Sequence, residues 1–148
     1  MVIKKINTED IQTIRELLEK LYLELGEEKE SIKFLNDELI TQLINNDNTT
    51  ILKAVNINEI IGLITLTESQ AIYAGGKYGS IDEMYVKQTY RNQNIGKLLI
   101  KYAVKIGKNK GWKRIDVTAP TENNKSALNF YNKNNFIFTG PKLKLKIE

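Results

Sequence analysis

The sequence predicts an α/β or α+β fold in which helices flank a mixed sheet, within one domain of 148 residues. Segments typical of strands and helices follow one another in the order β-α-α-β-β-β-α-β-α-β. The segment from Ile95 to Ile106 has apolar residues at i, i+3, i+4, i+7, i+8 and i+11, which indicates an amphipathic helix. Because no repeat, low-complexity run or proline-rich linker interrupts the chain, these elements are expected to share one core.

In the first third of the chain, a strand and two helices are predicted. The strand is Val2 to Ile6, and Asn7 or Thr8 is expected to cap the first helix. That helix has apolar residues at helical spacing before the stop signal Gly26, namely Ile11, Ile14, Leu18, Leu21 and Leu25. Ser31 is expected to cap a second helix that carries Phe34, Leu35, Leu39 and Leu43 and ends at "NNDN".

Strand patterns dominate the middle of the chain. "TTILKAV" and "IIGLITL" are joined by a turn at "NINE", and "YAGGKYG" leads into a third strand, "SIDEMYV". Simple alternation there places Ile81, Glu83 and Tyr85 on the face opposite Asp82, Met84 and Val86. Further on, "WKRIDVTA" is predicted to be a strand and 126–134 a short helix. "FIFTG" and "KLKLKI" are predicted to form a terminal hairpin or strand pair.

Two missing residue types narrow the chemistry. The sequence has no histidine and no cysteine, which excludes Ser-His-Asp and Cys-His nucleophilic sites and the usual zinc sites. No metal site is predicted, and proton transfer is left to Asp, Glu, Lys, Tyr or water. The lack of cysteine fits a reducing compartment, so a cytoplasmic location is expected. Short apolar runs and the absence of a signal peptide predict no membrane association.

The net charge of +4 raises the question of a nucleic-acid partner. Only three arginines occur, Arg15, Arg91 and Arg114, and the lysines are scattered along the sequence. Because arginine is the residue best suited to bidentate phosphate and base contacts, no nucleic-acid partner is predicted.

"YRNQNIGKLLI" lies between the strand that ends at Val86 and the helix predicted to begin near Ile95. The first N–H groups of a helix lack intrahelical partners, and the helix dipole makes that end electropositive. Such a loop can bind an anion, and Arg91 adds a positive charge. The segment matches neither the P-loop nor the dinucleotide-binding pattern, so by itself it equally fits a plain surface helix.

A second segment, "NNKSALNFYNKNNF", opens a short helix whose Ala127, Leu128 and Phe130 are expected to pack in the core. Tyr131 is expected at the rim, where its hydroxyl could donate a proton to a leaving anion.

Together the two segments resemble the acetyl-CoA-binding and C-terminal motifs of the GNAT N-acetyltransferase superfamily. The R-x-x-G-x-G/A motif corresponds to Arg91–Gly96. The N-x-x-A-x-x-F-Y-x-x-x-G-F motif corresponds to Asn124, Ala127, Phe130, Tyr131, Asn135 and Phe136. The resemblance covers most of the chain and is strongest over 80–140, and "AIYAGGKYGSIDEMYV" is similar to a small bacterial subset of the family. Two motif glycines are replaced by Asn94 and Asn135, and asparagine is the non-glycine residue that best tolerates a left-handed backbone.

The resemblance implies one N-acetyltransferase domain over residues 1–148. Its central sheet would be twisted, mixed and mostly antiparallel, flanked by about four helices, with strands splayed at the acetyl-CoA site. The residues implied to bind acetyl-CoA are Met84, Tyr85, Val86, Arg91, Asn92, Gln93, Asn94, Ile95, Gly96, Lys97 and Asn124. Among them Met84 and Val86 would present main-chain groups to the pantetheine arm, and 91–97 would wrap the pyrophosphate.

The implied reaction is direct transfer of the acetyl group to a primary amine, of a small molecule or a protein, in a ternary complex. Tyr131 would be the general acid and Glu83 the base, with Asp82 or a water relay as open alternatives for the base. A chain without cysteine disfavours an acetyl-cysteine intermediate. A non-catalytic acyl-CoA-binding or regulatory module of the same fold is the alternative function, and a homodimer through the C-terminal strands is a further expectation.

Overall fold

The structure is a computed structural model that describes residues 1–118 and 124–147. Its strands are β1 (Val2–Lys5), β2 (Thr49–Asn56), β3 (Glu59–Ala71), β4 (Gly76–Val86) and β5 (Ile115–Val117). Its helices are α1 (Ile11–Glu24), α2 (Asp37–Ile44), α3 (Ile95–Lys110) and α4 (Lys125–Lys133). The predicted order of elements is therefore confirmed as far as α4. Within the described part of the chain, no helix has both the length and the apolar character needed to cross a membrane.

The five strands form one sheet in the order β1-β2-β3-β4-β5. The first four are antiparallel to their neighbours. The N–H of Lys113 donates to the carbonyl of Lys77 (2.8 Å), and the N–H of Gly79 donates to the carbonyl of Arg114 (3.0 Å). From the first bond to the second, the residue number increases both in β4 and in the segment that enters β5, so this segment runs parallel to β4. The predicted mixed, mostly antiparallel sheet is thus confirmed.

By its contacts the chain divides into two compact units, Met1–Asp116 and Val117–Glu148. The larger unit holds β1 to β4 and α1 to α3, and the smaller unit holds α4 and the C-terminal segment. The two are described separately below. That residues 1–148 act as a single domain stays a prediction.

Both faces of the sheet are covered in the larger unit. Leu63 and Ile64 are consecutive in β3 and both are fully buried, although successive strand residues point to opposite faces. Leu63 packs in a cluster with Ile14 and Leu17 of α1 and Ile40 of α2. Helix α3 packs against β3 and β4, and its buried side chains, such as Leu99, are not part of that cluster. The helices α1 and α2 therefore cover one face and α3 covers the other.

The second helix begins later than predicted. Lys29–Ile32 forms a separate 3-10 turn, and α2 starts at Asp37, where the side chain of Asn36 accepts a hydrogen bond from the N–H of Leu39 (2.8 Å). Asn36 is a better cap than Ser31 in this context because two acidic residues, Asp37 and Glu38, follow it and complement the helix dipole.

The predicted C-terminal hairpin is absent from the described residues 136–147, which contain no strand. The alternating Leu143, Leu145 and Ile147 are 90%, 87% and 85% exposed. Alternation produces a strand only where a partner supplies both backbone hydrogen bonds and an apolar surface, and the exposed side chains have no such surface here. Ala119, at the end of the predicted strand "WKRIDVTA", and Asn123, at the start of "NNKSALNFYNKNNF", lie outside the described residues.

Trp112 fills a slot between α3 and β4 that two glycines leave open. A Cβ atom added at Gly79 would lie 2.1 Å from the indole ring, and one added at Gly107 would lie 2.9 Å from it. The indole Nε1 donates a hydrogen bond to the carboxylate of Glu68 (2.6 Å). The ring is therefore held in place and cannot easily move aside.

Replacement of Gly79 by alanine is expected to lower the free energy of unfolding by about 1–3 kcal/mol, because the new methyl group overlaps the indole ring. Urea denaturation followed by circular dichroism measures the effect. The same replacement in a Trp112→Leu background is the control and should cost clearly less. An equal cost in the two backgrounds would show that Trp112 is not the cause.

Candidate active site

Strand β4 contains a bulge at Asp82. Opposite β3, Thr65 pairs with Glu83 and Leu66 pairs with Ile81, so Asp82 has no partner in the register. Because paired residues share a face of the sheet and Thr65 and Leu66 point to opposite faces, Glu83 and Ile81 also lie on opposite faces. The predicted common face for Ile81, Glu83 and Tyr85 is therefore wrong for Ile81, since the extra residue reverses the alternation.

The bulge also corrects the expectation that Asp82 and Glu83 face opposite sides. Glu83 is hydrogen-bonded to the hydroxyl of Thr65, and Asp82 is hydrogen-bonded to the hydroxyl of Thr67. Thr65 and Thr67 are two residues apart on β3 and share a face. Both carboxylates consequently lie on the face that α1 covers, with Asp82 exposed and Glu83 half-buried.

Glu83 is held by two hydroxyl groups. The Thr65 hydroxyl donates to Glu83 Oε1 and accepts from the Glu83 N–H (2.8 Å). The Tyr22 hydroxyl, on α1, donates to Glu83 Oε2 (3.0 Å). Burial raises the pKa of Glu83, the two hydroxyl donors oppose that rise, and the charge of Asp82 adds to it. The raised pKa makes this carboxylate a stronger proton acceptor than an ordinary exposed glutamate, and the two donors hold it in one orientation.

Main-chain groups at the end of β4 face two different ways. The N–H of Lys87 donates to the carbonyl of Ile61 (2.8 Å), which fixes the hydrogen-bonded pairs between β4 and β3. By alternation, the backbone groups of Tyr85 also point toward β3 and form hydrogen bonds with it. The backbone N–H and carbonyl groups of Met84 and Val86 point away from β3. Met84 and Val86, the residues predicted to contact pantetheine, therefore have their backbone groups on the edge of β4 that faces away from β3.

The loop after β4 has the backbone expected of an anion site. Asn92 and Asn94 have φ values of 62° and 63°, so the prediction that asparagine supplies a left-handed conformation at Asn94 is confirmed. The side chain of Asn7 caps the 3-10 turn that precedes α1, and those of Asn36 and Asn124 cap α2 and α4, but Asn94 makes no such bond. The backbone N–H groups at the start of α3, where Ile95 is buried, are thus not capped by Asn94.

The remaining loop residues are placed as follows. Gly96 and Lys97 lie in the first turn of α3, and Lys97 is exposed. The side chain of Gln93 donates a long hydrogen bond to the carbonyl of Thr89 (3.4 Å). Helix α3 contains five lysines and no acidic residue, so part of the positive charge of the chain is concentrated on this helix.

Arg91 is engaged within the larger unit. Its Nε donates to the carbonyl of Val86 (2.8 Å), its Nη2 contacts Glu24 Oε2 (2.9 Å), and its guanidinium lies 5.2 Å from the centroid of the Tyr85 ring. Tyr85 itself is buried in the core, and its hydroxyl donates to Glu24 Oε1 (3.2 Å). Burial raises the pKa of Tyr85, and the charge of Glu24 adds to this effect.

The smaller unit contains the other two predicted site residues. The side chain of Asn124 accepts a hydrogen bond from the N–H of Ala127 (3.2 Å) and caps α4. Tyr131 packs edge-on against Phe130 and Phe136, with ring centroids 5.2 Å and 5.4 Å away. Burial raises the pKa of Tyr131 to about 12, so its hydroxyl keeps its proton at neutral pH. Asn135 has a φ of 70°, as expected for a residue in the place of a motif glycine.

Three side chains in these networks were not predicted from the sequence, namely Tyr22, Glu24 and Thr65. Tyr22 and Glu24 lie in the last turn of α1, 61 residues from Glu83 and 67 from Arg91, respectively. No local pattern links positions so far apart. The only signal is that two polar residues alternate with Leu21, Leu23 and Leu25 at the end of an amphipathic helix.

Replacement of Tyr22 by phenylalanine is expected to raise the pKa of Glu83 further, because the lost hydroxyl donates to the ionised carboxylate. A carbon-13 NMR titration of the Glu83 carboxyl group measures this. Tyr90→Phe is the matched control, since the Tyr90 hydroxyl donates to a different carboxylate, Glu59 (3.3 Å). A pKa that falls or stays constant in Tyr22→Phe would contradict the role given to Tyr22.

Comparison with solved structures identifies the fold. The chain superimposes on the tetramutant of the BH1408 protein from Bacillus halodurans with a TM-score of 0.85 and 19% identity, covering 99% of this chain and 100% of that one. An aminoglycoside acetyltransferase from an uncultured soil metagenomic sample gives a TM-score of 0.83 and 21% identity, covering 99% and 96%. A ribosomal-protein-alanine N-acetyltransferase from Brucella melitensis biovar Abortus 2308 gives 0.77 and 16%, covering 99% and 100%.

At these identities the neighbours establish the fold and not the substrate. The model of the acetyltransferase (GNAT) family matches residues 11–136, which is most of the chain and includes both segments on which the resemblance depends. The chain therefore belongs to the GNAT acetyltransferase family.

Proposed function

We propose that the protein is an acetyl-CoA-dependent N-acetyltransferase that acts on a primary amine. One observation supports this most directly: the half-buried carboxylate of Glu83, with a raised pKa, lies on the strand that leads into the electropositive start of α3. Transfer of an acetyl group from a donor that carries a pyrophosphate needs a proton acceptor and an anion site. Both lie here on one continuous segment of the chain.

The loop and the start of α3 fit the pyrophosphate of acetyl-CoA. Left-handed Asn92 and Asn94 turn the chain immediately before α3, and Asn94 does not cap the helix with its own side chain. The N–H groups of the first turn and the helix dipole then favour a bound anion. Lys97 adds positive charge in that turn. When bound, acetyl-CoA supplies an acetyl thioester that is activated toward amines.

The outer edge of β4 fits the pantetheine arm. The backbone groups of Met84 and Val86 point away from β3, and an extended chain that carries amides can add to such an edge like a strand. One acceptor there, the Val86 carbonyl, already receives the Arg91 hydrogen bond. Met84 is therefore the better candidate for a main-chain contact with pantetheine.

Glu83 is proposed to take the proton of the acceptor amine, directly or through a water. An alkylammonium group has a pKa of about 10.4, so most of it is charged at neutral pH and must lose a proton before attack. Thr65 and Tyr22 fix both oxygens of the Glu83 carboxylate, and burial brings its pKa closer to neutrality. Asp82 shares the face but is exposed, so it is better suited to attract a cationic acceptor than to act as the base.

Tyr131 is proposed, from its match to the family motif, as the acid that protonates the departing thiolate. The half-buried Tyr131 side chain keeps its proton at neutral pH because burial raises its pKa to about 12. A protonated hydroxyl is the form this role requires.

The acceptor is proposed to be a small amine or a protein amino group. The structural neighbours include an acetyltransferase of aminoglycosides and one of a ribosomal-protein alanine, both of which are named for amine-bearing acceptors. The carboxylates of Asp82 and Glu83 on one face favour a cationic acceptor of either kind.

Release of CoA from acetyl-CoA in the presence of a panel of amines tests the function, with wild type compared with Tyr131→Phe. Turnover with at least one amine is expected. Tyr131→Phe is expected to lower kcat roughly 10²-fold with little change in the KM for acetyl-CoA, because the hydroxyl acts only as the thiolate leaves. Acetyl-CoA binding without turnover for any amine would instead favour a non-catalytic acyl-CoA-binding module.

Glu83→Gln is expected to lower kcat/KM by about 10²–10⁴-fold and to flatten the low-pH limb of its rate profile. In the wild type, that limb should lie above the usual pKa of a glutamate, since burial raises the pKa of Glu83. Profiles measured between pH 5 and 9 test this, with Asp82→Asn as the matched control. That variant should keep the limb but move it to lower pH, because the charge of Asp82 contributes to the raised pKa of Glu83. If Asp82→Asn removed the limb and Glu83→Gln kept it, the base would be Asp82.

A further inference from the structure

The last turn of α1 contacts both β4 and the loop that follows it. Glu24 accepts hydrogen bonds at Oε1 from the Tyr85 hydroxyl (3.2 Å) and from Arg91 Nη2 (3.1 Å), and its Oε2 lies 2.9 Å from the same nitrogen. Two residues earlier, Tyr22 donates to Glu83. One helix end therefore holds the proposed base and the arginine of the proposed pyrophosphate loop.

Arg91 is fixed by three different contacts. Its Nε bonds to the carbonyl of Val86, its Nη2 pairs with Glu24, and its guanidinium lies against the face of the Tyr85 ring. An isolated exposed ion pair contributes little, but this pair is about one-third exposed on each side, at 39% and 34%, and is part of a network. The planar fork of arginine suits such simultaneous contacts, so the side chain is held in one orientation.

We infer that Glu24 is a positioning residue for the binding of acetyl-CoA. Glu24 holds the Arg91 side chain in place, and Arg91 then acts as a strut that joins α1 to the loop at 87–94. The pyrophosphate is then bound by the backbone N–H groups at the start of α3 and not by the Arg91 guanidinium. This inference rests on the proposed function of that loop.

Charge explains why Arg91 stays with Glu24. If the guanidinium turned to a phosphate, the Glu24 carboxylate would lose its cation and its two hydrogen bonds from Arg91. An uncompensated carboxylate next to the arginine of an anion-binding loop would repel the pyrophosphate. Pairing with Arg91 neutralises Glu24 and at the same time fixes the loop through the Val86 carbonyl.

The affinity of Glu24→Gln for acetyl-CoA, measured by isothermal titration calorimetry, distinguishes a strut from a phosphate ligand. A strut that loses its partner should weaken binding roughly tenfold, the range expected for one charge-assisted hydrogen-bond pair. If Arg91 were a ligand, Glu24→Gln would free it, and affinity would rise or stay unchanged. Either of those outcomes would overturn the inference.

Glu30→Gln is the matched control. Glu30 forms an ion pair with Lys33 just beyond α1, and both side chains are highly exposed, at 77% and 74%. The substitution removes the same charge without touching the loop, so affinity should change less than about twofold. An equal loss in Glu30→Gln and Glu24→Gln would indicate a general charge effect and would count against the inference.

The double variant Glu24→Gln/Arg91→Gln tests whether the two residues act as a unit. Each single variant should weaken binding by a similar factor, and the double variant should be no weaker than either one. Additive losses would mean that the two residues act separately, which contradicts a strut. Urea midpoints of all variants, measured in parallel, confirm that each is folded under the binding conditions.

A readout without acetyl-CoA separates this inference from the proposed function. The Arg91 Nε–H proton, assigned by comparison with Arg91→Lys, should give a slowly exchanging NMR signal in the free wild type and exchange faster in Glu24→Gln. A fast-exchanging wild-type signal would overturn the inference. Failure of the wild type to bind acetyl-CoA would overturn the proposed function, while the Nε signal would still decide whether Glu24 holds Arg91.

Discussion

The candidate site depends on the β-bulge at Asp82. In a regular strand, Asp82 and Glu83 would face opposite sides of the sheet, and one of them would point toward α3. The extra residue turns both toward α1, where two threonine hydroxyls of β3 receive them. The Thr65 hydroxyl bonds to both the N–H and the carboxylate of Glu83, so a single side chain fixes the bulge and orients the proposed base.

The end of α1 provides the second constraint. Its apolar face, with Ile14, Leu17 and Leu18, is anchored in the core, and this packing carries Tyr22 and Glu24 to β4. Desolvation by the same packing raises the pKa of Glu83, so its ionised form costs stability above the usual pKa of a glutamate. A partly buried carboxylate with a raised pKa, held by specific hydrogen-bond donors, is typical of a functional site.

Local signals were sufficient for much of the secondary structure. The spacing of apolar residues in α3 and the strand patterns of β2 to β4 predicted those elements. Each element shows a pattern of apolar residues along its own sequence, because it buries an apolar face in the core. The start of α2 was misplaced because the prediction put the cap at Ser31, whereas Asn36, five residues later, caps the helix and is followed by the acidic Asp37 and Glu38. The C-terminal alternation failed as a strand signal because pairing partners lie outside the segment itself.

The sequence by itself determined the family and the left-handed conformation of Asn94, and it is the source of the proposed pyrophosphate loop, since each depends on motif residues close together in the chain. Only the tertiary structure decided that Asp82 and Glu83 share a face, that Tyr22 and Thr65 hold Glu83, and that Glu24 engages Arg91. A bulge is a property of two paired strands, and the Glu24 contact joins residues 67 positions apart. Neither feature produces a periodic pattern in the sequence, because hydrogen bonds between distant segments are selected by packing and not by local spacing.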